Sequence, residues 1–238
     1  MPDRVALITV DVSRTLGIFT GRTTSTQLAD LTPLAAIKPN LVGETVRSLL
    51  YRAPELTPDL ASRLCDQLLI PRDNLPTQWH RGYEPYPHAQ HVLEELAQIA
   101  PVVALSNMSV TGGPERVAAI KREHGHTLTE VYASFLLGGA KPERWLWHVT
   151  AGKHQAEPAH VVHIGDQLAA DVYGAWAAGA RVIHLRTSDQ PVDYPADSGS
   201  RIASVHDLAD AVPLIRAWAA GQPVPDAAAA SPTSGGRA

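Results

Sequence analysis

The chain has 238 residues, 45 % apolar and 18 % charged, enough for one sizeable domain or one domain with a smaller insert. Twenty Lys and Arg against 24 Asp and Glu give a net charge of −4, so no cationic surplus points to nucleic acid or an anionic membrane. A single cysteine, Cys65, excludes an internal disulfide framework and a Cys-rich zinc site. The first apolar run is too short for a signal peptide. No later run reaches the roughly 18 residues of a membrane span, so a soluble, cytoplasmic protein is expected.

Val5–Val10 is the first of four short, β-branched runs; Pro101–Leu105, Val161–Ile164 and Arg181–Leu185 follow. Continuous runs of this kind are the mark of strands buried on both faces. Helical patterns fall at Leu41–Tyr51, Pro58–Leu69, Pro76–Arg81, Ala89–Ala100, Pro114–His124 and Ala169–Ala178. The alternation predicts an α/β fold with a doubly wound parallel sheet, whose ligands bind beyond the carboxyl ends of the strands. No strand pattern interrupts the long interval between the first two runs, which reads as a small helical insert ending near Tyr83–Pro87. The expected organisation is an α/β core over 1–16 and 85–220, a helical domain over 17–84, and a disordered tail over 221–238. That tail is Pro, Ala, Ser and Gly, too poor in apolar surface to offset its ordering entropy.

The residues just past the predicted strands carry the chemistry. Asp11 follows the first, within Val10-Asp11-Val12-Ser13-Arg14-Thr15; Ser106-Asn107 follows the second. Lys141-Pro142 comes after Gly138-Gly139-Ala140, and Gly165-Asp166 closes the third strand with Asp171 just beyond. In order and context these segments resemble the motifs of the haloacid dehalogenase-like (HAD) hydrolase superfamily, in the branch whose helical cap is inserted after the first motif. The fourth segment, Gly165-Asp166-x-x-x-x-Asp171, is the most specific of them, and the likeness spans nearly the whole chain before the tail.

The resemblance implies a Rossmannoid core and an Asp11 nucleophile that forms a covalent aspartyl intermediate. It implies a Mg²⁺ site made of Asp11, Asp166, Asp171 and the Ser13 backbone carbonyl, with Asp166 the principal ligand and Asp171 ordering the metal site or Lys141. Lys141 and Ser106 would stabilise the transferring group; Thr15, Asn107 and Arg14 fall on the substrate side. Elementary electrostatics agrees with a metal. A carboxylate approaching a phosphate at about 4 Å meets roughly 4 kcal/mol of repulsion per charge pair at an effective dielectric near 20, and a hard divalent cation relieves it.

One position departs from the pattern. Phosphatases of this superfamily carry a second Asp two residues after the nucleophile, and here Ser13 stands there. A serine hydroxyl is a poor proton donor, and general acid catalysis typically contributes about 10²- to 10⁴-fold. Glu84, His80 and His88 are the candidates to supply the missing acid. The expected activity is Mg²⁺-dependent hydrolysis of a small phosphate ester or acyl phosphate. The alternatives are a non-catalytic binding protein, phosphotransfer, or dehalogenation of a 2-halo acid, which in this fold needs neither Mg²⁺ nor the Gly-Asp pair. Elsewhere, His163 and His184 read as buried, hydrogen-bonded core residues, and Cys65, Trp145 and Trp147 as packing residues.

Overall fold

The computed structural model describes residues 4–79, 82–195 and 198–224. His80 and most of the expected tail lie outside them. The strands among these residues are β1 (Leu7–Val10), β2 (Gly17–Phe19), β3 (Tyr83–Pro85), β4 (Val102–Ser106), β5 (Leu128–Ala133), β6 (Val161–Gly165), β7 (Arg181–Leu185) and β8 (Ile202–Val205). Six form one parallel sheet in the order β5-β4-β1-β6-β7-β8. β1 lies between β4 and β6, with Val10 beside Ala104 and Ile164, and all four of its residues are buried. β5 and β8 were not anticipated. Leu128-Thr-Glu-Val-Tyr-Ala133 is interrupted by polar residues because it lies at an edge of the sheet, and Ile202-Ala-Ser-Val205 is short.

Alternation along each strand divides the apolar residues between two faces. Ile8, Val10, Val102 and Ala104 join a core with helices Ala89–Ala97, Gly113–His124 and Ala211–Ala219. Leu7, Val103 and Leu105 join another with helix Trp145–Lys153, where Trp147 is fully buried. Trp145, expected to pack, is instead 39 % exposed, its indole N–H donating to Glu143.

The interval between β1 and β4 contains more than helices. β2 and β3 pair antiparallel, Gly17 against Pro85 and Phe19 against Tyr83. A Cβ at Gly17 would lie 2.4 Å from the Glu84 carbonyl oxygen, so only glycine admits this approach. Between them run Thr24–Ala29, Leu41–Thr45 continued by a π-turn at Val46–Leu50, and Pro58–Leu68. Thr57 caps the last by accepting the Leu60 amide, Pro58 opens it, and Leu60, Leu64, Cys65 and Leu68 bury one face. The helix expected from Pro76 does not form over 76–79. Leu75, ahead of a proline, is held extended at φ −63°, ψ 136°. The pattern at Ala169–Ala178 likewise becomes a π-turn, Leu168–Tyr173, followed by a short helix, Gly174–Ala177. No helix among the described residues is long and apolar enough to cross a membrane.

Candidate active site

β1 stops at Val10, so Asp11 emerges at the carboxyl edge of the sheet between the ends of β4 and β6. Its amide donates to the Ile164 carbonyl at 2.8 Å, which fixes the turn. Ser106 closes β4, buried, and Asp166 follows the end of β6. One carboxylate oxygen each of Asp11, Asp166 and Asp171 lie within 4.8 Å of one another. Lys141 reaches the group from its loop, Nζ donating to Asp11 Oδ1 at 2.7 Å and to Asp171 Oδ1 at 2.5 Å. These four side chains come from three segments far apart in sequence, with Asp166 and Asp171 on the same one, joined by the crossovers of the sheet.

Asp171 is held on every side. Its Oδ1 also accepts from His163 Nε2 at 3.2 Å, and its Oδ2 accepts the Gln167 amide at 2.9 Å. His163 Nδ1 in turn accepts from the Thr9 hydroxyl at 2.8 Å, which sets the neutral Nε2–H tautomer. Gly165 permits this crowding, because a Cβ there would stand 2.4 Å from Asp171 Cγ. With both oxygens engaged, Asp171 orders Lys141 and the 166–167 turn. That is one of the two roles the resemblance implies for it, and one of its carboxylate oxygens still lies within 4.8 Å of those of Asp11 and Asp166. Two buried oxygens nearby, Asp11 Oδ2 and Asp166 Oδ1, accept no hydrogen bond among the described residues.

The charges follow from this packing. Burial raises the Asp11 carboxyl above its ordinary value, with Lys141 opposing and Asp171 reinforcing the rise. Burial and then the field of Asp11 push Asp166 up to about 6. For Asp171 burial works the other way from its partners, and Lys141 with His163 hold the carboxyl below the usual range. Burial disfavours the Lys141 cation, but Asp11 and Asp171 outweigh it and hold the ammonium protonated. Lys141 on Asp11 and Asp171, and the Arg14 guanidinium on Asp166, set two cations against three carboxylates, and the two open oxygens lie on Asp11 and Asp166.

A cavity of about 490 Å³ opens beside this cluster, lined by Ser13, Asn107 and Lys141 on the sheet side and by residues of the 23–51 segment opposite. Several expected substrate contacts sit elsewhere. Arg14 and Thr15 line a different cavity, and Arg14 Nε pairs with Asp166 Oδ2 at 2.9 Å. The reason is the backbone: Arg14 adopts φ +62°, which turns its side chain away from the Lys141 cavity and onto Asp166. Asn107 faces the Lys141 cavity, yet both ends of its amide are committed. Nδ2 donates to the Lys141 carbonyl at 3.0 Å and Oδ1 accepts the Lys141 amide at 2.8 Å, so it positions the lysine. Neither Glu84 nor His88 lines that cavity; Glu84 is exposed on β3, and His88 lies with Arg14 in the other. No Asp or Glu is among the residues lining the Lys141 cavity.

Thr9, Arg47 and Arg116 escaped the sequence reading, whereas His163, read as a buried, hydrogen-bonded residue, is one, and only its bond to Asp171 was missed. Thr9 and His163 form the relay behind Asp171, and the sole signal was a polar residue at matching register in two buried strands. Arg47 and Arg116 both line the cavity. Nothing in the linear order brings them together.

Comparison with known proteins bears on the fold. The HAD-hydrolase-like family model matches residues 139–211, the stretch that includes Lys141, Asp166 and Asp171. No curated protein matches the sequence. Among solved structures, a 2-haloacid dehalogenase from Pseudomonas syringae pv. Tomato DC3000 is 20 % identical with a TM-score of 0.58, over 90 % of this chain and 98 % of that one. A Had-superfamily hydrolase from Ehrlichia chaffeensis is 20 % identical, TM-score 0.53, over 92 % and 98 %. A HAD family enzyme from Bacteroides thetaiotaomicron, in complex with magnesium and inorganic phosphate, is 10 % identical, TM-score 0.54, over 78 % and 96 %.

Proposed function

The chain has the haloacid dehalogenase-like fold, and on that premise we propose that it is a Mg²⁺-dependent phosphohydrolase of small molecules with Asp11 as nucleophile. The observation that carries the reading is the pair of buried, unsatisfied oxygens, Asp11 Oδ2 and Asp166 Oδ1, beside an ammonium. Two hard carboxylate donors with no partner suit Mg²⁺, which favours one or two carboxylates completed by substrate oxygens and water. Asp11 and Asp166 would hold the ion, with the Ser13 carbonyl at hand. When bound, it would screen the repulsion between the Asp11 carboxylate and the phosphoryl oxygens.

The side chains supply the rest. Asp11 attacks phosphorus as the bond to the leaving oxygen breaks, and the phosphoryl group passes to the carboxylate. Lys141 stays protonated, draws Asp11 into line and balances charge on the transferring group. Ser106 is buried at the end of β4, next to Asn107 of the cavity wall, and would offer its hydroxyl to a phosphoryl oxygen. With no carboxyl lining the cavity to protonate it, the leaving group departs as an anion, which favours acyl and aryl phosphates over alkyl esters. Water then attacks the aspartyl phosphate, restoring Asp11 and releasing phosphate. The helical segment over 17–84 acts as a cap that roofs this chemistry and limits water.

Hydrolysis of acetyl phosphate and 4-nitrophenyl phosphate tests the reading. Turnover should need Mg²⁺, vanish with chelator and vanish in Asp11→Asn; no turnover under any of these conditions would overturn it. A second reading rests on Arg14. Because its guanidinium already neutralises one oxygen of Asp166, the Asp11–Lys141 pair could operate without metal, as a carbon–halogen hydrolase would. Chloride release from 2-chloropropionate, indifferent to chelator, would favour that alternative.

A further inference from the structure

Lys141 sits in a turn that is tied from two sides. Glu143 closes it from within: its amide donates to the Ala140 carbonyl at 3.0 Å, and its Oε1 accepts the Ala140 amide at 3.0 Å. Lys141 and Pro142 are thus enclosed between two bonded neighbours. The same carboxylate also reaches outward. Its Oε2 accepts from the Trp145 indole at 3.0 Å. Arg52, from the helical segment, lays its guanidinium across both oxygens, Nη2 donating to Oε1 at 2.7 Å and Nη1 to Oε2 at 3.3 Å. A planar fork on a carboxylate fixes orientation as well as distance.

One short stretch of the helical segment makes this approach. Two residues before Arg52, the Leu50 carbonyl accepts the Val110 amide at 2.8 Å. The Arg52 carbonyl passes close to Gly138, where a Cβ would stand 3.9 Å from it. Residues 50–52 therefore hold both loops that govern Lys141: the one after β4, whose Asn107 grips the lysine backbone, and the 138–143 turn. Beside the ion pair the two sides do not pack tightly. A cavity of about 280 Å³ opens between Glu44 and Ser48 on one side and Ala140 and Pro142 on the other, so the contact here is polar.

We propose that Arg52 and Glu143 form a latch by which the docked helical segment sets the aim of Lys141 on Asp11. Arg52 is then a positioning residue, acting through Glu143 on the turn and through the turn on the ammonium. The kinetic consequence rests on the phosphohydrolase reading, whereas the tie between Arg52 and the turn does not.

Amide hydrogen exchange, followed by NMR on the full-length chain without metal, tests the tie. In Arg52→Gln the Ala140 amide should exchange about fivefold faster, the size of one well-formed exposed ion pair, while amides of β1 and β6 keep their rates. Arg52→Lys should keep part of the protection. Steady-state hydrolysis of acetyl phosphate in Mg²⁺ tests the aim. In Arg52→Gln kcat should fall about fivefold with KM within about twofold, and Arg52→Lys should recover part of the loss. In a Glu143→Gln background Arg52→Gln should add nothing further, because the carboxylate it holds is already gone. Unchanged Ala140 exchange, an unchanged kcat in a chain that turns over, or additive losses in the double variant would each overturn the inference. Faster exchange in a chain that hydrolyses no phosphate would instead fail the phosphohydrolase reading alone.

Discussion

Asp11, Asp166 and Ser13 decide between them how this site would handle protons and metal. Asp166 has its carboxyl pushed up to about 6, by burial first and by Asp11 second, so below that pH it holds a proton that a cation would have to displace. Apparent Mg²⁺ affinity should then be level above about pH 6.5. It should fall by about tenfold per pH unit below 6, for one proton displaced. Calorimetric titration from pH 5 to 8 checks this; affinity independent of pH would mean that Asp166 is not a ligand. Ser13 governs a different step. Ser13→Asp restores a carboxyl to the lining of the cavity and should raise turnover of alkyl phosphates by about 10²-fold or more. Acetyl phosphate, whose leaving group needs no proton, should gain far less. Rates measured on the two substrates separate the outcomes, and an equal gain on both would contradict the account of proton supply.

At the level of elements, the site depends on loops that are clamped rather than merely near one another. Asn107, just past β4, grips both backbone polar groups of Lys141. Ser134 does similar work one strand over, accepting the Met108 amide and donating to the Met108 carbonyl. Asn107→Ala should cost about 1–3 kcal/mol through the unsatisfied groups left behind. It should lower kcat more than it raises KM, because Lys141 loses its aim on Asp11. Urea unfolding and steady-state kinetics together report the two effects. Asp11 and Asp166 were readable in the sequence because each follows a run whose apolar, β-branched character forces a buried strand, and chemistry collects where such strands stop. Lys141 was readable only through the resemblance carried by Gly138-Gly139-Ala140-Lys141-Pro142, since it lies on a loop past the unanticipated β5. Arg47 and Arg116 were not, since one is set by a π-turn and the other by packing on Phe19, and neither leaves a local pattern. β5 and β8 escaped for a related reason: edge strands can be short or polar without penalty.

For the whole molecule, three buried histidines link folding to pH. Burial holds His124, His163 and His184 below their ordinary values, so each is harder to protonate in the fold than in the unfolded chain. Unfolded, each takes a proton near pH 6.5. Their stabilisation is therefore complete above that value. It is lost as pH falls through it, by up to about 1.4 kcal/mol per pH unit per histidine. Asp166 runs the opposite way between about pH 4 and 6, since its raised carboxyl favours the fold when protonated, and the raised Asp11 carboxyl acts in the same direction, so the two offset part of what the histidines contribute. Urea midpoints measured in chelator at pH 7.5, 6.5 and 5.5 should fall with decreasing pH; a flat profile would show that the histidines are protonated in place.

The antiparallel pair β2–β3 carries one more consequence. The chain leaves the sheet after Phe19 and returns at Tyr83, its registered neighbour, and the Thr20 amide still donates to the Gly82 carbonyl at 3.0 Å. Departure and arrival are thus a single doorway. Whatever is threaded through it can be lengthened, shortened or traded for unrelated chain while every crossover of the parallel sheet keeps its span. The carboxylates and the lysine lie outside that doorway and Arg47 lies within it, so exchanging the threaded segment would remake one wall of the cavity and leave the acidic cluster in place.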